Sequence, residues 1–211
     1  MYLSILSSKQ ISLLKKLKFL EKYDFYLAGG TALALQIGHR TSLDFDFYTK
    51  KKFDNRKLLK DLENHFEEIE LIQNPEQTLI VKIESREVSF FYYPYPLIYS
   101  PIKEKELPPL AIKEDIAAMK VMAIIQRGRK RDFIDIYFLI KEFGLKKIFE
   151  IAKKKYPSFN FYLALQALTY FADAEREKIK GRITYVKSIS WSEIKKFLIK
   201  STNDFKKSYL K

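Results

Sequence analysis

The 211-residue chain has no cysteine. Disulfides and thiolate-bound metals are therefore excluded, and a reducing compartment is compatible with the chain. It also lacks any stretch of 18 apolar residues, so no membrane-spanning helix is expected. The opening Met1-Tyr2-Leu3-Ser4 has no basic segment followed by a long apolar run, so no secretory leader is expected and a cytoplasmic location is. There are no internal repeats and no low-complexity tract. Hydrophobic residues make up 47% and aromatics 15%, enough to bury a core and too much for a disordered chain. The length suits one domain, or one domain with a helical extension. Acidic residues are the scarcer charge. There are 39 Lys and Arg against 26 Asp and Glu, for a net +13. Such a field attracts polyanions, nucleic acid first among them. The lysines are spread along the chain, which also suits a solvated basic surface.

The spacing of apolar residues predicts an amphipathic helix over 8–20, a short strand over 25–28 ending at Gly29-Gly30, and a helix over 31–37 stopped by Gly38. A strand over 43–48 follows, with Leu43, Phe45 and Phe47 on its core face. Asp54 is placed to cap a helix reaching about Phe66. Leu79–Ile83 and Val88–Tyr92 read as a hairpin. In the run Phe90-Phe91-Tyr92-Tyr93, core is favoured over a base-stacking surface. Pro94, Pro96, Pro101, Pro108 and Pro109 then interrupt regular structure. They mark the expected boundary between a mixed α/β domain (1–100) and a helical domain (101–211). Helices are expected from Lys113 to about Arg127, from about Asp132 to Phe143, and over 146–155, 160–179 and 191–209. The last carries the capping-box pair Ser190 and Glu193. The fold class is α+β.

The most informative residues are Asp44 and Asp46. Two apart on a strand, they share one face. Holding two neighbouring carboxylates charged is costly unless a cation offsets them. Hard oxygen donors suit Mg²⁺ or Mn²⁺, which use one or two carboxylates and take further ligands from water and substrate phosphates. Upstream, Gly29-Gly30-Thr31 lets the backbone approach a ligand closely, and the helix start offers unpaired N–H groups to a phosphate. Arg40 suits phosphate pairing or neutralisation of the aspartates. His39 suits a structural place or proton transfer.

A second constellation lies further on. Lys120 interrupts an apolar helical face carrying Ile116, Met119, Ala123 and Ile124, and Arg127 shares roughly its face. Asp132 and Asp135 are neighbours on one helical face. Two readings stand: an interhelical ion-pair set joining Lys120 or Arg131 to the aspartates, or a site. In the site, Lys120 with Arg127 or Arg131 contacts phosphate, and one aspartate orients them or takes a proton.

Together, Leu-Ala-Gly-Gly-Thr-Ala-Leu-Ala-Leu-Gln (27–36), Gly-His-Arg-Thr-Ser-Leu-Asp-Phe-Asp-Phe-Tyr (38–48), and Lys120 followed by Arg-Lys-Arg-Asp-Phe-Ile-Asp-Ile-Tyr-Phe-Leu (129–139) resemble the nucleotidyltransferase superfamily. The similarity is greatest to the AbiEii/AbiGii-type toxins; Tyr-Phe-Ala-Asp-Ala-Glu (170–175) adds to it. The resemblance implies a nucleotidyltransferase-like mixed β-sheet with helices, followed by a helical C-terminal half, the two facing across a cleft. It implies that Gly29, Gly30 and Thr31 bind the phosphates of a nucleoside triphosphate and that Asp44 and Asp46 bind metal. The catalytic lysine and aspartate fall on Lys120 and on Asp132 or Asp135. It also implies a cognate antitoxin encoded nearby, and RNA or tRNA as an acceptor. One departure stands out. Many relatives carry a third carboxylate on a neighbouring strand, where this chain has Ser89, with Glu87 the nearest acid.

The leading expectation is therefore a metal-dependent nucleotidyltransferase. The alternatives are a catalytically inactive nucleotide- or RNA-binding module on the same fold and, against the grain of the nearby glycine turn, a glycosyltransferase.

Overall fold

A computed structural model of the protein describes residues 1–177, 184–187 and 189–209. These form two compact units. One comprises Met1–Ile112 with residues 184–186; the other comprises the remaining described residues from Lys113 onward.

The first unit opens with helix α1 (Ser8–Lys16), started by a reciprocal Ser7–Gln10 capping box. It runs into a 3-10 segment, Leu17–Tyr23, rather than continuing as α-helix to residue 20. Leu13, Leu14, Leu17 and Leu20 are buried along this stretch. Strand β1 (Tyr26–Ala28) leads into helix α2 (Gly29–Ile37). The helix thus starts at Gly29, two residues earlier than the spacing predicted, and Gly38 closes it as expected. Strand β2 (Phe45–Thr49) begins just after Asp44, and helix α3 (Asn55–Glu63) is capped by the Asp54 carboxylate, which accepts from the Arg56 N–H at 2.8 Å.

Three strands complete the unit. Strand β3 (Ile69–Gln73) was not expected from the sequence. Strands β4 (Thr78–Ile83) and β5 (Arg86–Tyr92) form the expected hairpin around Glu84-Ser85. The sheet order is β1-β2-β5-β4-β3, with β2 and β5 parallel and every other pair antiparallel. One face carries the core: Phe45 and Phe47 of β2 and Val88 and Phe90 of β5 are fully buried. The rest of the aromatic run departs from the core expectation. Phe91, Tyr92 and Tyr93 are half-buried. Phe91 lies on the opposite sheet face from Phe90 because strand side chains alternate, and there its ring is 5.3 Å from that of Tyr48.

The second unit is helical: α4 (Lys113–Gln126), α5 (Lys130–Phe143), α6 (Leu145–Lys155), α7 (Phe161–Ala167), α8 (Ala172–Arg176) and α9 (Trp191–Tyr209). The single helix expected over 160–179 is two short ones; its residues 178 and 179 lie outside the described residues. The Ser190–Glu193 capping box forms as expected, with the Glu193 N–H donating to Ser190 Oγ at 3.1 Å. Among the described residues, no helix is long and apolar enough to cross a membrane.

Candidate active site

In the first unit the sheet aligns Ala28, Asp46 and Ser89 as direct neighbours across β1, β2 and β5. Asp46 is half-buried, on the face opposite Phe45 and Phe47. Asp44, also half-buried, sits immediately before the strand rather than on it, where the spacing places it. Beside them is the start of α2. Gly29 has φ +65, and a Cβ there would come within 2.7 Å of Asp46 Oδ2. The glycine backbone therefore lies against the carboxylate, which would have to shift if a side chain were added here. At Gly30 an added Cβ would collide with Arg40 Nη2. The Arg40 side chain is only 2% exposed, and its Nη1 donates to the Thr41 carbonyl at 3.0 Å. It thus packs under the glycine turn as a buried cation.

Thr31 is also committed to the protein. Its hydroxyl donates to the Asp44 carbonyl and shares a 2.7 Å hydrogen bond with the Ser42 hydroxyl. That bond holds Asp44 in place and takes up the proton that a phosphate contact would use. Gln10 adds a support that pattern reading missed: its amide donates to the carbonyls of Ser42, at 2.9 Å, and Leu43. A polar residue on the apolar face of α1, four before Leu14, was the available signal. A second support had none. Residues 184–186 run beside the Arg40 loop, with Thr41 N–H donating to the Thr184 carbonyl and Val186 N–H to the His39 carbonyl, both at 2.9 Å. His39 itself is fully buried.

In the second unit, Lys120 of α4 reaches both aspartates of α5. Its Nζ lies 2.8 Å from Asp132 Oδ1 and 2.6 Å from Asp135 Oδ2, with both carboxylates wholly buried. Arg127 Nε also donates to Asp132 Oδ2, at 3.1 Å. Burial pushes the Asp132 carboxyl up and Asp135 adds to this. The Lys120 and Arg127 charges and the Lys120 hydrogen bond outweigh them, so the group stays below the usual carboxylate range. Arg131 is half-buried and forms no ion pair among the described residues, so Lys120 rather than Arg131 makes the interhelical set. A separate ion pair, Lys155 Nζ to Asp115 Oδ1 at 2.8 Å, ties α6 to α4 with both side chains fully buried.

Among the described residues, no group of three or more His, Asp or Glu side chains is placed to hold a metal ion. Asp44 and Asp46 offer two hard oxygen donors, which fits an ion that takes its remaining ligands from water and substrate.

The fold is that of the nucleotidyltransferases. It matches a crystal structure from H. pylori assigned to that class over 96% of this chain and 97% of the other, with a TM-score of 0.59 at 19% identity. It also matches MenT4, a nucleotidyltransferase toxin of Mycobacterium tuberculosis H37Rv, over 91% of this chain and 80% of that one, with a TM-score of 0.54 at 16% identity. Sequence carries the assignment further. The pattern of the nucleotidyl transferase AbiEii toxin family, of type IV toxin–antitoxin systems, matches residues 12–113 and 93–207. The chain belongs to that family. An uncharacterized protein of Aquifex aeolicus (strain VF5) is 37% identical over 187 residues, 86% of this chain and 88% of that protein.

Proposed function

We propose that this nucleotidyltransferase moves a nucleotide from a nucleoside triphosphate to an acceptor hydroxyl, with Asp44 and Asp46 as the ligands of a Mg²⁺ or Mn²⁺ ion. The observation that carries the reading is the contact of the Gly29 backbone with the Asp46 carboxylate, which sets the N-terminus of α2 beside the carboxylate pair. That helix start supplies N–H groups and a partial positive charge suited to the triphosphate tail. A bound ion would offset charge on the α-phosphate and the leaving pyrophosphate. Arg40 holds the turn and offsets the aspartates from below. Thr31, Ser42 and Gln10 fix the backbone that presents Asp44.

Lys120 serves the same reaction as an electrostatic stabiliser of developing phosphate charge. Asp132 and Asp135 orient its ammonium, and Arg127, half-exposed beside Asp132, supplies a further phosphate donor. The net charge of +13 supports an RNA acceptor, tRNA included. Family membership supports a cognate antitoxin encoded nearby.

The test is incubation with labelled nucleoside triphosphates, Mg²⁺ or Mn²⁺, and total RNA or the chain itself. Label transfer that Asp44→Asn abolishes is expected; its absence under both ions would overturn the reading. One observation favours a second reading, a catalytically inactive nucleotide- or RNA-binding module. Ser89, not an acid, lies directly beside Asp46. Salt-sensitive RNA binding that survives Asp44→Asn and Asp46→Asn, without turnover, would select it.

A further inference from the structure

The two edges of the sheet are treated differently. The outer edge of β1 is occupied: Leu27 N–H donates to the Pro109 carbonyl at 2.8 Å, and Ala111 N–H donates to the Leu27 carbonyl at 2.9 Å. The outer edge of β3 has no backbone partner among the described residues. Glu84 N–H donates to the Glu68 carbonyl at 3.4 Å, and Glu70 pairs with Lys82. In an antiparallel ladder this alternation turns the backbone groups of Ile69 and Leu71 away from β4, toward solvent. Leu71 and Ile72 are 48% and 42% exposed, an uncommon degree for apolar residues on a strand, and they lie at the bulge of β3.

Charge says what this edge accepts. Residues 61–81 hold six acids (Asp61, Glu63, Glu67, Glu68, Glu70 and Glu76) and no lysine or arginine, in a chain of net +13; of these, Glu70 is paired with Lys82 of β4 at 3.3 Å and Asp61 with Lys22 at 2.7 Å. Two copies of β3 would bring like charges together, and the other sheet edge is closed. Self-pairing through this edge is therefore opposed by the same acids that would attract a basic strand. We propose that β3 is a docking edge for a partner chain that adds an extended, lysine- or arginine-rich segment as a sixth strand. Basic side chains of that segment meet Glu68 and Glu70, and the alternate apolar ones cover Leu71.

The global charge makes the test selective, because a strongly basic protein repels a basic peptide except where a local acidic site captures it. The full chain is titrated with a peptide of alternating lysine and valine and with its glutamate–valine counterpart, following anisotropy and backbone amide exchange. Two variants accompany it. Leu71→Pro removes an outward N–H without removing a bond to β4, and Glu70→Lys reverses charge on an intact edge. The lysine peptide should bind at one site and slow exchange across Ile69–Gln73. Each variant should weaken it at least about tenfold, a change within reach of losing one edge hydrogen bond or reversing one charge. Equal binding of the acidic peptide, protection elsewhere, or undiminished affinity in both variants overturns the proposal. So does a dimer of the chain that Leu71→Pro dissolves, since that would give the edge to a second copy.

Discussion

The backbone at Gly29 and the carboxylate of Asp46 occupy adjoining space, with only 2.7 Å between Asp46 Oδ2 and the point where a side chain would begin. Gly29→Ala therefore acts twice. It forces an L-residue to hold φ +65, at a cost of about 1–3 kcal/mol, and it displaces Asp46. Transfer activity should fall by more than the stability loss explains, up to about a hundredfold, the scale of a 1 Å misplacement in a reacting geometry. Melting curves and label transfer on the same preparation separate the two. A variant that melts lower yet transfers at the wild-type rate would dissociate the glycine from the site.

Lys120 and Arg127 both touch Asp132, but their surroundings differ. Lys120 is nearly inaccessible, whereas the Arg127 side chain is 47% exposed. Lys120→Met strands two buried carboxylates and should cost about 3–5 kcal/mol. Arg127→Ala should cost under about 1 kcal/mol. Chemical denaturation reads both. If Arg127 contacts phosphate, Arg127→Ala should nonetheless raise the KM for the triphosphate while leaving the melting temperature almost unchanged.

Much of this was legible in the chain because the signals were local. The Gly29-Gly30 turn, the Asp44 and Asp46 spacing, the Ser190–Glu193 box and the Asp54 cap all rest on residues no more than three positions apart. The pairing of Lys120 with α5 was legible as a set but not as a choice, because an i, i+3 spacing puts Asp132 and Asp135 equally within reach and the lysine takes both. β3 escaped because Ile69-Glu-Leu-Ile-Gln is exposed at a sheet edge, where no buried face imposes alternation. The roles of Gln10 and of residues 184–186 depend on contacts 32 and more than 140 positions away, which no local pattern encodes.

The buried aspartate also sets a pH dependence. The Asp132 carboxyl is held below its ordinary value in the folded state, while its unfolded value is about 3.9. A lowered carboxylate contributes stability that is complete above the unfolded value and is lost as pH falls through the folded one. Unfolding free energy should therefore be flat for this group at neutral pH and decline from about pH 4 downward. In Asp132→Asn the acid limb of the stability curve should be shallower. An unchanged limb would mean that Asp132 is not held down by Lys120 and Arg127.

Ser89 gives the remaining test, because it is the direct parallel-strand neighbour of Asp46 and only 2% exposed. Adjacent strands lie about 4.8 Å apart, so Ser89→Asp would place a third carboxylate beside the proposed metal pair. Without a divalent ion the added charge is buried near a like charge and should cost about 1–3 kcal/mol. An ion held by Asp44 and Asp46 would reverse this, since binding to the folded state alone raises stability by mass action. Mn²⁺ should then raise the melting temperature of Ser89→Asp by more than it raises that of the wild type. Ser89→Asn, similar in size but uncharged, should show only the wild-type response. If neither the wild type nor Ser89→Asp responds to Mn²⁺ or Mg²⁺, the aspartate pair does not hold a metal.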